Sequence, residues 1–115
     1  MKKIIITNDD GIFGVGLAPL AEELSKLAKV IVIVPDKERS AVSHSLTLHK
    51  PIKVRNIDSK NIFKCQIQTY IVDGTPADCV RFGFISICKY KLDLVVSGIN
   101  FGPNLGNDVI YSGTV

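Results

Sequence analysis

KIIITNDDGI, residues 3–12, passes in a few positions from three consecutive isoleucines to two neighbouring carboxylates. A continuous β-branched run is the pattern of a strand covered on both faces, as in a parallel sheet, whereas a half-exposed strand alternates apolar with polar. Val30 to Val34 repeats that pattern. Between the two runs Leu17, Leu20, Ala21, Leu24, Leu27 and Ala28 recur at helical spacing, with Glu22, Glu23, Lys26 and Lys29 on the opposite face. Residues 1–34 therefore predict strand, loop, helix, strand, one βαβ unit of right-handed connection.

Working outward, Pro35 to Ser45 is polar and loop-like. Short strands are expected around Leu46-Thr47-Leu48, Ile52-Lys53-Val54 and Thr69 to Val72, as an excursion from the main sheet. A second helix is marked by Thr75 as N-cap, Pro76 at its first position and Asp78 three residues after the cap. Ala77, Val80, Phe84, Ile85 and Cys88 would form its buried stripe, ending near Tyr90. Leu94-Val95-Val96 predicts another buried strand, and Ser97 to Thr114, rich in Gly and Asn, a long functional loop. A parallel strand returns through a covering helix, and the sequence stops at Val115, where that helix would start. The expectation is an α/β fold, a Rossmann-like three-layer α/β/α arrangement with a mainly parallel sheet, truncated at Val115. Its last strand would be uncovered on at least one face, and the chain alone is expected to associate or fold marginally.

The bulk properties exclude several classes. With 115 residues and 46% hydrophobic residues, there is apolar material for one core. The net charge of +3 comes from scattered lysines and arginines, not from a basic block of the kind that binds nucleic acid. Cys65, Cys79 and Cys88 lack C-x-x-C spacing and are expected to be reduced and mostly buried. Met1-Lys2-Lys3 and three isoleucines are too short for a signal-peptide core, and no run approaches the roughly 18 apolar residues of a membrane span. A cytoplasmic protein is expected, without nucleic-acid or membrane partners.

Three polar clusters fall at the carboxyl ends of the expected parallel strands, where open α/β sheets bind ligands. They are Asn8-Asp9-Asp10-Gly11, Asp36 to Ser45, and Ser97 to Asn104. Adjacent side chains on an extended strand point to opposite faces, so Asp9 and Asp10 converge only if the chain turns between them, which Gly11 makes easy. Converging carboxylates repel unless a cation or proton lies between them. A hard divalent cation such as Mg²⁺ or Mn²⁺ takes such oxygen ligands, and Ser40 and Asn100 offer more from the neighbouring loops. An isolated Asp-Asp-Gly is also ordinary turn chemistry, and it is the coincidence of three such loops at one edge that favours a site.

Competing chemistry lacks its signatures. No G-x-G-x-x-G follows the first strand, and neither G-x-x-x-x-G-K-[ST] nor G-x-S-x-G occurs. Ser43-His44-Ser45 has no orienting acid, and His44 and His49 cannot form an H-E-x-x-H zinc site.

Taken together, Thr7-Asn8-Asp9-Asp10-Gly11, Pro35-Asp36 through Arg39-Ser40, Ser45-Leu46-Thr47-Leu48, Gly74-Thr75-Pro76-Ala77-Asp78-Cys79, Val96-Ser97-Gly98-Ile99-Asn100, Gly102-Pro103-Asn104-Leu105-Gly106 and Tyr111-Ser112-Gly113-Thr114-Val115 resemble the SurE family. The resemblance spans nearly the whole chain but only the N-terminal half of a family member, so residues 1–115 are expected to be the N-terminal part of a single SurE-like α/β domain. It implies a metal-dependent phosphatase acting on nucleoside 5′- and 3′-monophosphates, with one divalent cation, Mg²⁺ or Mn²⁺, per subunit. It implies that Asp9, Asp10, Ser40 and Asn100 bind the cation. It also implies that Asn8, Asn104 and the turn Ser112-Gly113-Thr114 lie around the substrate phosphate. Asp9 and Asp10 would be the catalytic pair, with Asp10 chosen to accept the proton of the attacking water. A dimer or tetramer is implied for a full-length member. Gly14-Val15 stands where the family usually has Ala-Pro, and Ala41 where it has Gly, departures that leave the four ligands in place. The alternatives are an inactive truncated product and a non-catalytic nucleotide- or anion-binding module.

Overall fold

The structure is a computed structural model and describes residues 2–37, 51–98 and 109–112, the last stretch through its backbone. Strand β1 (Lys3–Thr7) leads into helix α1 (Leu17–Ser25) and strand β2 (Lys29–Pro35). Strand β3 (Val54–Ile57), a 3₁₀ turn (Ser59–Asn61) and strand β4 (Gln68–Val72) follow. Helix α2 (Pro76–Phe82) runs on as a π-helical segment, Gly83–Ile87, before strands β5 (Leu94–Ser97) and β6 (Val109–Ser112).

The six strands lie in the order β3-β4-β2-β1-β5-β6. The four central ones are mutually parallel, and an antiparallel strand flanks each edge. The two apolar runs are β1 and β2, and because their side chains alternate across the sheet, both faces need cover. Ile4, Ile6, Val30, Val32 and Val34 pack on one face with Leu17 and Ala21 of α1 and with Phe63 and Ile67. Ile5, Ile31 and Ile33 pack on the other with Tyr70, Val72, and Cys79 and Cys88 from the α2 side. Helix, sheet and helix are the three layers expected.

Several elements depart from the sequence reading. Thr69 to Val72 belongs to the main sheet: β4 pairs with β2 over Ile31↔Gln68 to Pro35↔Val72. Its polar atoms are satisfied locally, the Thr69 hydroxyl donating to the Ile67 carbonyl at 2.8 Å and Gln68 Nε2 to the Tyr70 hydroxyl at 2.6 Å, so the strand can be buried. The strand expected at Ile52-Lys53-Val54 starts at Val54, and the one at Leu46-Thr47-Leu48 lies outside the described residues. Helix α1 stops at Ser25, and the tight turn from Leu24 to Ala28 throws Leu27 into solvent. In α2 the capping box forms as read, with the Asp78 amide donating to Thr75 Oγ1 and the Thr75 amide to Asp78 Oδ2. The buried stripe differs in part. Cys88 is buried and Val80 and Phe84 pack against the core as read, with Cys79 and Gly83 buried beside them, while Ala77 and Ile85 are exposed, Ile85 because the wider π-helical turn shifts the phase of the stripe.

The segment read as one long loop contains β6, so β5 is flanked by β1 and β6, and Val95 and Val96 are buried. Cys79 and Cys88 are buried as expected, Cys65 is exposed, and all three are free thiols. Among the described residues no helix is long and apolar enough to cross a membrane.

Candidate functional site

Strand order reverses beside β1: the chain moves outward through β2 to β4, then crosses back to place β5 on the other flank of β1. The crevice beyond the carboxyl ends of such strands is the ligand site of open α/β sheets. The register aligns the two loops there, since Thr7 of β1 pairs with Ser97 of β5 and the Gly98 amide donates to the Thr7 carbonyl at 3.1 Å. Asp9 and Asp10 thus follow β1 at the edge from which the chain leaves β5 toward Asn100. Asn100 itself lies outside the described residues, as do Ser40, Asn104, Gly113 and Thr114.

Both carboxylates are exposed, and neither has a hydrogen bond or ion pair among the described residues. The chain bends at Asp9 and Asp10, and Gly11 then takes φ +84°, a left-handed conformation that costs a residue with a Cβ. A Cβ at Gly11 would lie 2.7 Å from Lys37 Cγ and 3.3 Å from the Pro35 carbonyl oxygen. The glycine therefore lets the β1 loop close against the exit of β2, the direction in which Ser40 lies along the chain.

Asn8 turns inward. It is 1% exposed, its Oδ1 accepts from the Gly11 amide at 2.9 Å, and its Nδ2 donates to the Gly11 carbonyl at 3.0 Å. The same carbonyl also accepts from the Gly14 amide at 3.1 Å. The resemblance led us to expect Asn8 around the phosphate; it is at that edge, with its side chain committed to the loop.

At the end of β2, Asp36 is nearly buried. Its amide donates to the Val72 carbonyl at 2.8 Å, and its Oδ2 accepts from Arg55 Nη2 of β3 at 3.3 Å. This bond ties the start of the Ser40-bearing segment to β3 and β4. Sequence reasoning missed it because Arg55 falls on a strand whose place in the main sheet was not recognised. Beneath the loop, the buried Thr7 hydroxyl makes no hydrogen bond of proper geometry among the described residues and faces the Cys79 thiol. Burial pushes that thiol up to about 12, against the opposing influence of the Thr7 hydroxyl, so it is a packing residue and no nucleophile.

Ser112 is not brought to this edge. It ends β6, whose antiparallel register pairs Ser112 with Leu94 at the starting end of β5 and Val109 with Ser97. The length of β5 puts it about 10 Å from the carboxylate edge.

Among the described residues no three His, Cys, Asp or Glu side chains cluster as a metal centre, so Asp9 and Asp10 supply at most part of a coordination sphere. The donor chemistry nonetheless fits a hard cation: two adjacent carboxylates, exposed and without a cationic partner among the described residues, presented at a strand-end crevice.

An acidic pair at the topological switch point of a doubly wound sheet marks this as an α/β ligand-binding domain of Rossmann-like architecture. A family model described as Survival protein SurE matches residues 4–115, and the chain belongs to the SurE family. It is 54% identical over 114 residues to the 5′-nucleotidase SurE of Desulforudis audaxviator, covering 98% of this chain and 43% of that protein. The 5′-nucleotidase SurE of a Thermoanaerobacter strain is 49% identical over 113 residues, with the same coverage. The crystal structure of the SurE protein from Aquifex aeolicus superposes with a TM-score of 0.68 at 47% identity, covering 91% of this chain and 40% of that one. The chain thus spans less than half the length of these relatives.

Proposed function

We propose that this chain carries the metal-binding half of a phosphomonoesterase that hydrolyses nucleoside 5′-monophosphates, and 3′-monophosphates, to nucleoside and phosphate. The observation that supports it most directly is the pair of exposed carboxylates, without a partner among the described residues, at the switch point of the sheet in a chain whose relatives are named 5′-nucleotidase. Asp9 and Asp10, with Ser40 and Asn100, would hold one divalent cation, Mg²⁺ or Mn²⁺. When bound, such a cation offsets negative charge on the phosphoryl oxygens and makes water a better nucleophile. Asp10 accepts a proton from the attacking water as the water oxygen bonds to phosphorus, the bond from phosphorus to the ribose oxygen breaks, the ribose oxygen takes a proton from solvent, and Asp10 then releases its own to solvent. Asn104 and the turn Ser112-Gly113-Thr114 are the proposed phosphate contacts, and for Ser112 that contact requires β6 to part from β5.

The test is phosphate release from AMP and 3′-AMP with Mn²⁺ or Mg²⁺. Turnover should vanish with EDTA and fall roughly 100-fold or more in Asp9→Asn, as several kcal/mol of lost charge stabilisation demands. Turnover that survives both treatments overturns the reading, and nucleotide binding without turnover would make the chain a non-catalytic module.

A further inference from the structure

We infer that Asn8 is a positioning residue for the cation site and makes no contact with the phosphate, an inference that rests on the metal-dependent reading above. A phosphate ligand must present a donor to the crevice. The Asn8 carboxamide does not, since only 1% of the residue is accessible and both of its polar atoms are bonded to Gly11. These bonds run from side chain to backbone across the two carboxylates: Asn8 grips Gly11 on both its amide and its carbonyl, and Asp9 and Asp10 are the residues enclosed.

The closure accounts for three features at once. It satisfies the buried carboxamide, whose unpaired atoms would each be costly. It fixes the left-handed Gly11, whose carbonyl takes a second bond from the Gly14 amide. It also leaves the side chains of Asp9 and Asp10 as the groups of the turn that face solvent without a partner among the described residues. Two like charges on adjacent residues would drive a free loop to splay them apart. A bend clamped at both ends by one buried amide removes that freedom before any cation arrives, and this preorganisation appears as affinity. Asn8 acts on the cation through the backbone of its ligands, as groups supporting metal ligands do.

Mn²⁺ affinity, followed by the electron paramagnetic resonance signal of free Mn²⁺, separates the roles because it needs no turnover. Asn8→Ala is expected to weaken Mn²⁺ binding about 10–100-fold, the range for groups that orient metal ligands. Asn8→Ser retains an acceptor for the Gly11 amide and is expected to lose less, in the same direction. With Mn²⁺ raised to saturate each variant, competitive inhibition by inorganic phosphate should match that of the unsubstituted chain. Unchanged Mn²⁺ affinity in both variants overturns the inference, and so does weakened phosphate inhibition at saturating Mn²⁺, which would mark a direct contact. A merely structural role would lower the thermal midpoint and leave the Mn²⁺ affinity of the folded protein unmoved, which also overturns it. If the unsubstituted chain itself fails to bind Mn²⁺, the metal-dependent reading falls and this inference with it, a result distinct from failure in the variants alone.

Discussion

At Gly11 two independent constraints coincide, a φ of +84° and a neighbour, Lys37 Cγ, at 2.7 Å from where a Cβ would stand. Left-handed backbone costs an L-residue about 1–2 kcal/mol, so Gly11→Ala should destabilise the fold by at least that amount, read as a lower urea midpoint with unchanged slope. Cys79 has the opposite character, a residue whose chemistry is suppressed. Its thiol is raised from 9.0 to about 12 by burial, so the folded state keeps a proton that the unfolded chain releases near 9.0. Its contribution to stability is therefore complete below about pH 9 and declines as pH rises toward about 12. Urea midpoints should show Cys79→Ala destabilised most near about pH 8 and less near about pH 10.5, and a constant gap would contradict the assignment. Of the candidate site, the placement of Asp9 and Asp10 on an exposed turn after β1 was legible in the sequence because they follow a continuous apolar run and precede Gly11, although an Asp-Asp-Gly alone is ordinary turn chemistry. The inward turn of Asn8 was not, since asparagine is an ordinary turn residue and its partners depend on a backbone conformation that only the folded loop reveals.

Among the elements, α2 divides into a part written locally and a part set by the sheet. Its start is local: Thr75, Pro76 and Asp78 form the capping box they spell, and Thr75→Ala should cost about 1 kcal/mol by removing the acceptor of the Asp78 amide. Its continuation is not. At Gly83 a Cβ would lie 2.5 Å from both Ile33 Cδ1 and Ile5 Cδ1, so the helical segment comes down onto the sheet at a residue without a side chain. Ile5 and Ile33 are fully buried and have little room to yield, and Gly83→Ala should destabilise by about 1–3 kcal/mol, a larger loss than a helix-favouring substitution predicts. The same division explains the strands. β1 and β2 carry their burial in their composition, whereas β4 contains Gln, Thr and Tyr and reads as peripheral until Thr69 and Tyr70 are seen to bond within their own neighbourhood. The antiparallel pairing of β6 with β5 is a long-range choice that no local pattern announces.

At the scale of the whole molecule, the strand that leads into the carboxylates and its neighbour β2 are also the most enclosed. Ile5, Ile6 and Ile31 to Val34 are at most 1% exposed, while β3 at the sheet edge is exposed at Arg55 and Asn56. Amides of a strand paired on both sides and covered on both faces open only with the whole fold, whereas edge strands open locally at lower free energy. Hydrogen exchange should therefore be slowest in β1 and β2 and clearly faster in β3, with protection reaching the end of β1, where Thr7 and Asn8 are each 1% exposed. The consequence for function is mechanical. Fraying of β3 would loosen the Asp36–Arg55 bond and so the exit of β2, but the turn that holds Asp9 and Asp10 hangs from the centre of the sheet and keeps its place. Exchange at the Gly11 amide, which is bonded to Asn8 rather than to a strand, tests this directly. If Gly11 is protected nearly as well as Ile6, the carboxylate turn belongs to the core of the molecule; if it exchanges with the speed of β3, the turn is a surface loop and the preorganisation assigned to Asn8 does not exist.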